Sequence, residues 1–112
     1  MPFSELEVAH IEKTVGGLCQ RRAGPGLQRK TSVVYRTHRH DVTVYERYVH
    51  SDGSPGEIAV AKFKFTRRSG KWRLLWMRRN QKWYAYEVRS TRGRLSDLVA
   101  EVDADEYGCF FG

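Results

Sequence analysis

The sequence predicts a single α+β domain spanning residues 1–112: an N-terminal helix, a five-stranded antiparallel meander sheet and a short C-terminal helix, with both helices on one sheet face. Three observations carry that prediction. From Ala61 to Val88, large aromatics alternate with lysine and arginine at a period of two, the repeat of a strand rather than of a helix. Near both ends of the chain, apolar residues recur instead at spacings of three and four. The connections between successive strands are short, whereas parallel pairing needs crossovers of a dozen residues or more.

Ser4 is a good N-cap, and Glu7 three residues on completes a capping box, with Phe3 and Val8 as a hydrophobic staple. Val8, Ile11, Val15 and Leu18 then form one apolar stripe. Gly16-Gly17 weakens this helix by about 1 kcal/mol per glycine relative to alanine and is expected to permit close backbone approach. Gly24-Pro25-Gly26 ends it. Thr31 to His38 and Val42 to Val49 are rich in valine, threonine and tyrosine and read as a hairpin connected through His38-Arg39-His40-Asp41. Alternation leaves its buried side open, since Val42 and Val44 share a face with Glu46 while Thr43 shares one with Tyr45 and Arg47. Ser51 to Glu57 is a loop, Ile58 to Thr66 the third strand, Trp72 to Arg78 the fourth and Lys82 to Val88 the fifth. Ala61, Phe63 and Phe65 fall on one side of the third strand and Lys62 and Lys64 on the other. Trp72, Leu74 and Trp76 share one face of the fourth and are expected beneath the helices. Leu95, Leu98, Val99 and Val102 mark the second helix, which ends near Asp103-Ala104-Asp105. The closing Tyr107 to Gly112 is too aromatic for a solvated tail and is expected to dock on the fold or on a partner.

A chain of 112 residues, 40% hydrophobic and 29% charged, is long enough for one core and too apolar for disorder. With no run of about 18 apolar residues and no basic, apolar leader, the expected location is the cytoplasm, with no membrane partner. Cys19 and Cys109 are too few for a disulfide framework or a four-ligand zinc site and read as free thiols. The net charge of +7 is unevenly spread. Between Lys62 and Arg94, twelve bases face Glu87 alone, whereas Leu95 to Gly112 carries Asp97, Glu101, Asp103, Asp105 and Glu106 without a base. Such polarity favours a polyanion at the middle of the chain or head-to-tail pairing of two copies.

No catalytic constellation is visible, so the chain is expected to be a non-enzymatic binding module without a cofactor. The candidate nucleic-acid site is Lys62, Lys64, Arg73, Arg78, Arg79, Lys82, Trp83 and Tyr84, where rings would stack on bases and cations would clamp phosphates. Against it stands the plain alternative that the aromatics are core and the bases a wet sheet face. The rival function is a protein-interaction or homodimeric regulator that uses Phe110 and Phe111. A nuclease ranks third, because carboxylates to hold its metal ions are nearly absent from the basic stretch. His38, His40 and Asp41 offer ligand chemistry, but Arg39 lies among them and no metal is assigned. Cys19 reads as core rather than nucleophile.

Phe3-Ser4-Glu5, Ile11-Glu12-Lys13, Ala61-Lys62-Phe63, Trp72, Leu74 and Trp76-Met77-Arg78 give the chain a family likeness that is strongest in Glu101-Val102-Asp103-Ala104-Asp105 and Gly108-Cys109-Phe110-Phe111-Gly112. In these residues it resembles a family of small bacterial proteins, domain of unknown function 3024. Members often end in Phe-Trp-Gly, so Phe111 departs from the pattern. The resemblance implies a bacterial cytoplasmic protein and supplies no catalytic residue, ligand or partner.

Overall fold

The computed structural model describes residues 3–23, 32–86 and 92–111. Helix α1 (Glu5–Ala23) starts with the expected reciprocal cap: the Ser4 N–H donates to Glu7 Oε1 at 2.8 Å, and the Glu7 N–H donates to Ser4 Oγ at 3.2 Å. Arg67 Nη2 also donates to Glu7 Oε1 at 3.0 Å, tying the cap to a loop sixty residues away. Glu5 and Glu7 in the first turn and Arg21 and Arg22 in the last complement the helix dipole. Ile11, Val15 and Leu18 are buried, with Cys19 beside them, but Val8 is 40% exposed, so the buried stripe begins one turn later than its spacing suggests. Phe3 closes that end of the core instead, stacked on Trp72 at 5.8 Å between centroids and tilted against Phe65. A Cβ at Gly16 would meet the Tyr35 ring at 3.6 Å, an ordinary contact, so the approach of helix to sheet does not require glycine there. The Gly24-Pro25-Gly26 turn lies outside the described residues.

The sheet runs β1 (Ser32–His38), β2 (Asp41–Val49), β3 (Pro55–Thr66), β4 (Lys71–Met77) and β5 (Trp83–Ala85), antiparallel and in sequence order. A further two-residue strand, β6 (Arg92–Gly93), pairs with β4 at Trp72 and Arg73. The first hairpin closes at its expected connection, through Arg39 and His40 with Arg39 in the left-handed region at φ 55. Two elements differ from expectation. Strand β3 begins at Pro55, three residues early, because Asp52 Oδ1 accepts from the Ser54 N–H and Oγ–H and tightens the loop. Gly56 is needed in that extension, since a Cβ would fall 2.4 Å from the Tyr48 ring. The fifth strand pairs over only three residues, and β4's edge is shared between β5 and β6. Tyr86 still donates its N–H to the Leu74 carbonyl at 3.0 Å, while Glu87 and Val88 lie outside the described residues.

A β-bulge settles which side of the hairpin is buried. Pairing passes from Val44–Ala61 to Tyr45–Ala59, leaving Val60 as the extra residue. Val42, Val44, Ala61, Phe63 and Leu74 are fully buried beneath Ile11, Val15 and Leu18 of α1 and Leu95, Leu98 and Val102 of α2 (Leu95–Ala104). Thr43, Tyr45, Lys62, Lys64 and Arg73 take the opposite face by register. Both helices therefore cover one side of the sheet.

Asp105 ends α2 in the left-handed conformation and then holds the chain that follows. Its Oδ1 accepts the Phe110 N–H at 3.0 Å and its Oδ2 accepts the Phe111 N–H at 2.9 Å. Phe110 is buried against Tyr86 at 5.0 Å, and the Arg22 guanidinium lies 4.1 Å over the Phe111 ring. Asp103, two residues before, pairs with Arg21 at 2.9 Å. The aromatic tail is docked on its own domain. No helix among the described residues is long and apolar enough to cross a membrane.

Candidate nucleic-acid interface

Opposite the helices, register assembles a row from five strands: Arg36, Thr43, Lys62, Leu75 and Ala85, one from each of β1 to β5. Rings stand beside bases on this face. Lys62 Nζ lies 4.8 Å over Trp83, and the Arg36 guanidinium 4.7 Å over Tyr45. A second row places Asp41, Lys64, Arg73 and the backbone of Arg92 side by side. The charges fall into two groups. Glu57 receives Arg36 through two bonds of 2.6 and 2.7 Å, with Arg47 at 3.8 Å, and the Arg36 guanidinium holds the Glu57 carboxyl below its usual range. Lys62, Lys64, Lys71 and Arg73 have no carboxylate ion pair among the described residues.

The eight candidate residues do not form one surface. Lys62, Lys64, Arg73 and Trp83 share the outer face, but adjacent strand residues point oppositely, so Tyr84 faces the helix side with Trp76. There Arg78 lies 4.7 Å over Tyr84 and 5.5 Å over Trp76, and Asn80 Nδ2 donates to the Tyr84 hydroxyl at 2.7 Å. Arg78 and Arg79 overlook an open groove of about 770 Å³, walled across from them by the exposed Tyr107 and half-buried Cys109. Lys82 sits in the β4–β5 turn, its N–H donating to Asn80 Oδ1 at 3.1 Å. Sequence reasoning missed Arg36, Tyr45 and Lys71 on the outer face. The parity of the first hairpin would have found the first two, had the bulge been visible.

The other candidates are occupied structurally. His40 Nε2 accepts from Arg67 Nε at 3.2 Å and its ring meets Phe3 edge-on. Among the described residues no group of three His, Cys, Asp or Glu is placed to hold a metal ion. Burial pushes the Cys19 thiol up to about 11, and burial, then the charge of Asp105, also raises Cys109; thiols held protonated are poor nucleophiles.

The sequence profile of a family described as Domain of unknown function (DUF3024) matches residues 3–112. The chain belongs to that family. No curated protein and no solved structure matches it. Several residues through which the chain resembles DUF3024 have structural tasks here: Phe3 and Ser4 start α1, Asp103 joins the helices, and Phe110 anchors the tail. The Arg22–Phe111 stack shows what an aromatic at Phe111 does, and an indole there would offer the same guanidinium a larger ring face.

Proposed function

We propose that this DUF3024 protein is a small, non-enzymatic, cytoplasmic module that binds single-stranded nucleic acid across the outer face of its sheet. The observation that carries the reading is the placement of half-exposed rings directly beside bases on that face, Trp83 beside Lys62 above all. Such a surface supplies both parts of single-strand binding: a flat ring on which any base stacks, and cations that neutralise the backbone without reading sequence. Lys64 and Arg73 extend the positive field along the strands, and Arg78 and Arg79 continue it round the end of the sheet. The rival reading, an interaction module built on Phe110 and Phe111, has less support because both rings are engaged within their own domain.

Fluorescence anisotropy with a labelled single-stranded oligonucleotide tests the proposal. Affinity is expected to be weak at physiological salt and to fall steeply as salt rises, and each of Lys62→Ala and Lys64→Ala should reduce the salt slope by about one. Arg78→Glu with Arg79→Glu should weaken binding without unfolding the domain, and Trp83→Ala should weaken binding at unchanged salt slope. Affinity at low salt no better than that of a neutral protein sinks the reading.

A further inference from the structure

At the outer end of the β3–β4 hairpin, Thr66, Ser69, Lys71 and Arg73 line a cleft of about 380 Å³. Arg73 is half-buried, and its Nε–H is buried without a hydrogen-bond partner among the described residues. Such a donor is unusual, because buried polar groups in folded proteins are almost always paired. Its neighbours make the position stranger. Lys64 stands opposite it in register with the same charge, and like charges directly across a strand pair repel. Lys71 is two residues away on the same face and exposed, and Asp41, beyond Lys64, forms no ion pair with it. Ser69 Oγ is held at the turn, accepting the Lys71 N–H at 3.3 Å.

We propose that this cleft seats a phosphate monoester, gripped by Arg73 and Lys71 with Lys64 beside them and the Thr66 hydroxyl as a further donor. Each oddity then has its reason. The planar guanidinium is a rigid fork that matches two oxygens of a phosphoryl group, and its Nε–H, closed off from the cleft in this conformation, gains an acceptor when the side chain turns toward the bound group. Three clustered cations without a paired carboxylate suit a group carrying close to two negative charges better than the single charge of a phosphodiester. The site lies on the face proposed above to bind nucleic acid, yet it does not rest on that reading, since a free phosphorylated metabolite presents the same chemistry as the phosphorylated end of a strand.

The test uses the full chain and inorganic phosphate. Phosphate should raise the melting temperature above that in chloride at matched ionic strength, and should shift the Arg73 Nε–H resonance in a nitrogen-correlated spectrum. Arg73→Met should weaken phosphate binding about tenfold or more, with Arg73→Lys between the two because it keeps the charge and loses the fork. Lys71→Met, a change at an exposed position, decides the matter if Arg73→Met does not fold. Melting curves that coincide in phosphate and chloride, with the Arg73 resonance unmoved, overturn the proposal. A second arm compares oligonucleotides with and without a 5′-phosphate. Tighter binding of the phosphorylated strand, lost in Arg73→Met, identifies a strand end as the source. Phosphate protection without any oligonucleotide binding keeps this site, assigns it to a small phosphorylated ligand, and removes the nucleic-acid reading alone.

Discussion

The two faces of the sheet are built from alternate residues of the same strands, yet they obey different rules. On the helix side, Val42, Val44, Ala61, Phe63 and Leu74 are fully buried and each is held by its neighbours' shapes. One residue along, Tyr45, Lys62, Lys64 and Arg73 form a face marked by charge and ring rather than by fit. Burial and charge are thereby separated at a period of two. A substitution should tax one or the other according to parity, not according to its distance along the chain.

The sharpest way to break this contrast is to truncate neighbours. Phe63→Ala should cost about 3–5 kcal/mol, enough to unfold much of the population, whereas Lys64→Ala should change stability by about 0.5 kcal/mol or less. Chemical denaturation of the two variants measures both, and comparable losses would mean the faces are not independent. Smaller, and at the margin between the faces, is the tail. Asp105→Ala removes an acceptor from two backbone donors and should cost about 1–3 kcal/mol, lowering the melting temperature equally at all protein concentrations. A melting shift that depends on concentration would instead place the tail on a second copy.

The smallest effect is in acid. Arg67, then Ser4, holds Glu7 below its ordinary value of 4.5, and Arg36 does the same for Glu57. A carboxyl whose folded value is depressed stabilises the fold fully above its unfolded value, and that contribution is lost as pH falls from there through the depressed value. Glu7→Gln and Glu57→Gln should therefore flatten the decline in stability below about pH 5 and leave little difference between variant and parent in strong acid. Both groups are exposed, so added salt should shrink the effect as well.

Much of the fold was legible because its signals are local. The capping box, the alternation of Phe63 and Phe65 with Lys62 and Lys64, and the Leu95–Leu98–Val102 spacing each state an element within a few residues. What escaped depends on pieces distant in sequence. The bulge at Val60 shows only when β2 and β3 are paired, and without it the hairpin's parity cannot be read. The candidate site was half legible for a related reason. Charge along the chain located the basic stretch, but Trp83 and Tyr84 are adjacent in sequence and on opposite sides of the sheet. The pairing of Asp105 with the Phe110 and Phe111 N–H groups involves backbone donors, which every sequence has and none displays.

The helix layer is contributed by the two ends of the chain. Strands β1 to β4 each pair with the next through a short connection, while α1 meets α2 through Arg21 and Asp103, 82 residues apart. Loop closure makes such remote contacts the slower ones to form. A sheet that paired before the helices packed would leave its greasy face, Phe63 and Trp72 included, open to other chains, the circumstance in which folding proteins aggregate. The same half-closed sheet already displays Lys62, Lys64, Lys71 and Arg73 on its reverse. Copies in that state would repel one another through the basic face, which would guard the greasy one until the helices packed over it.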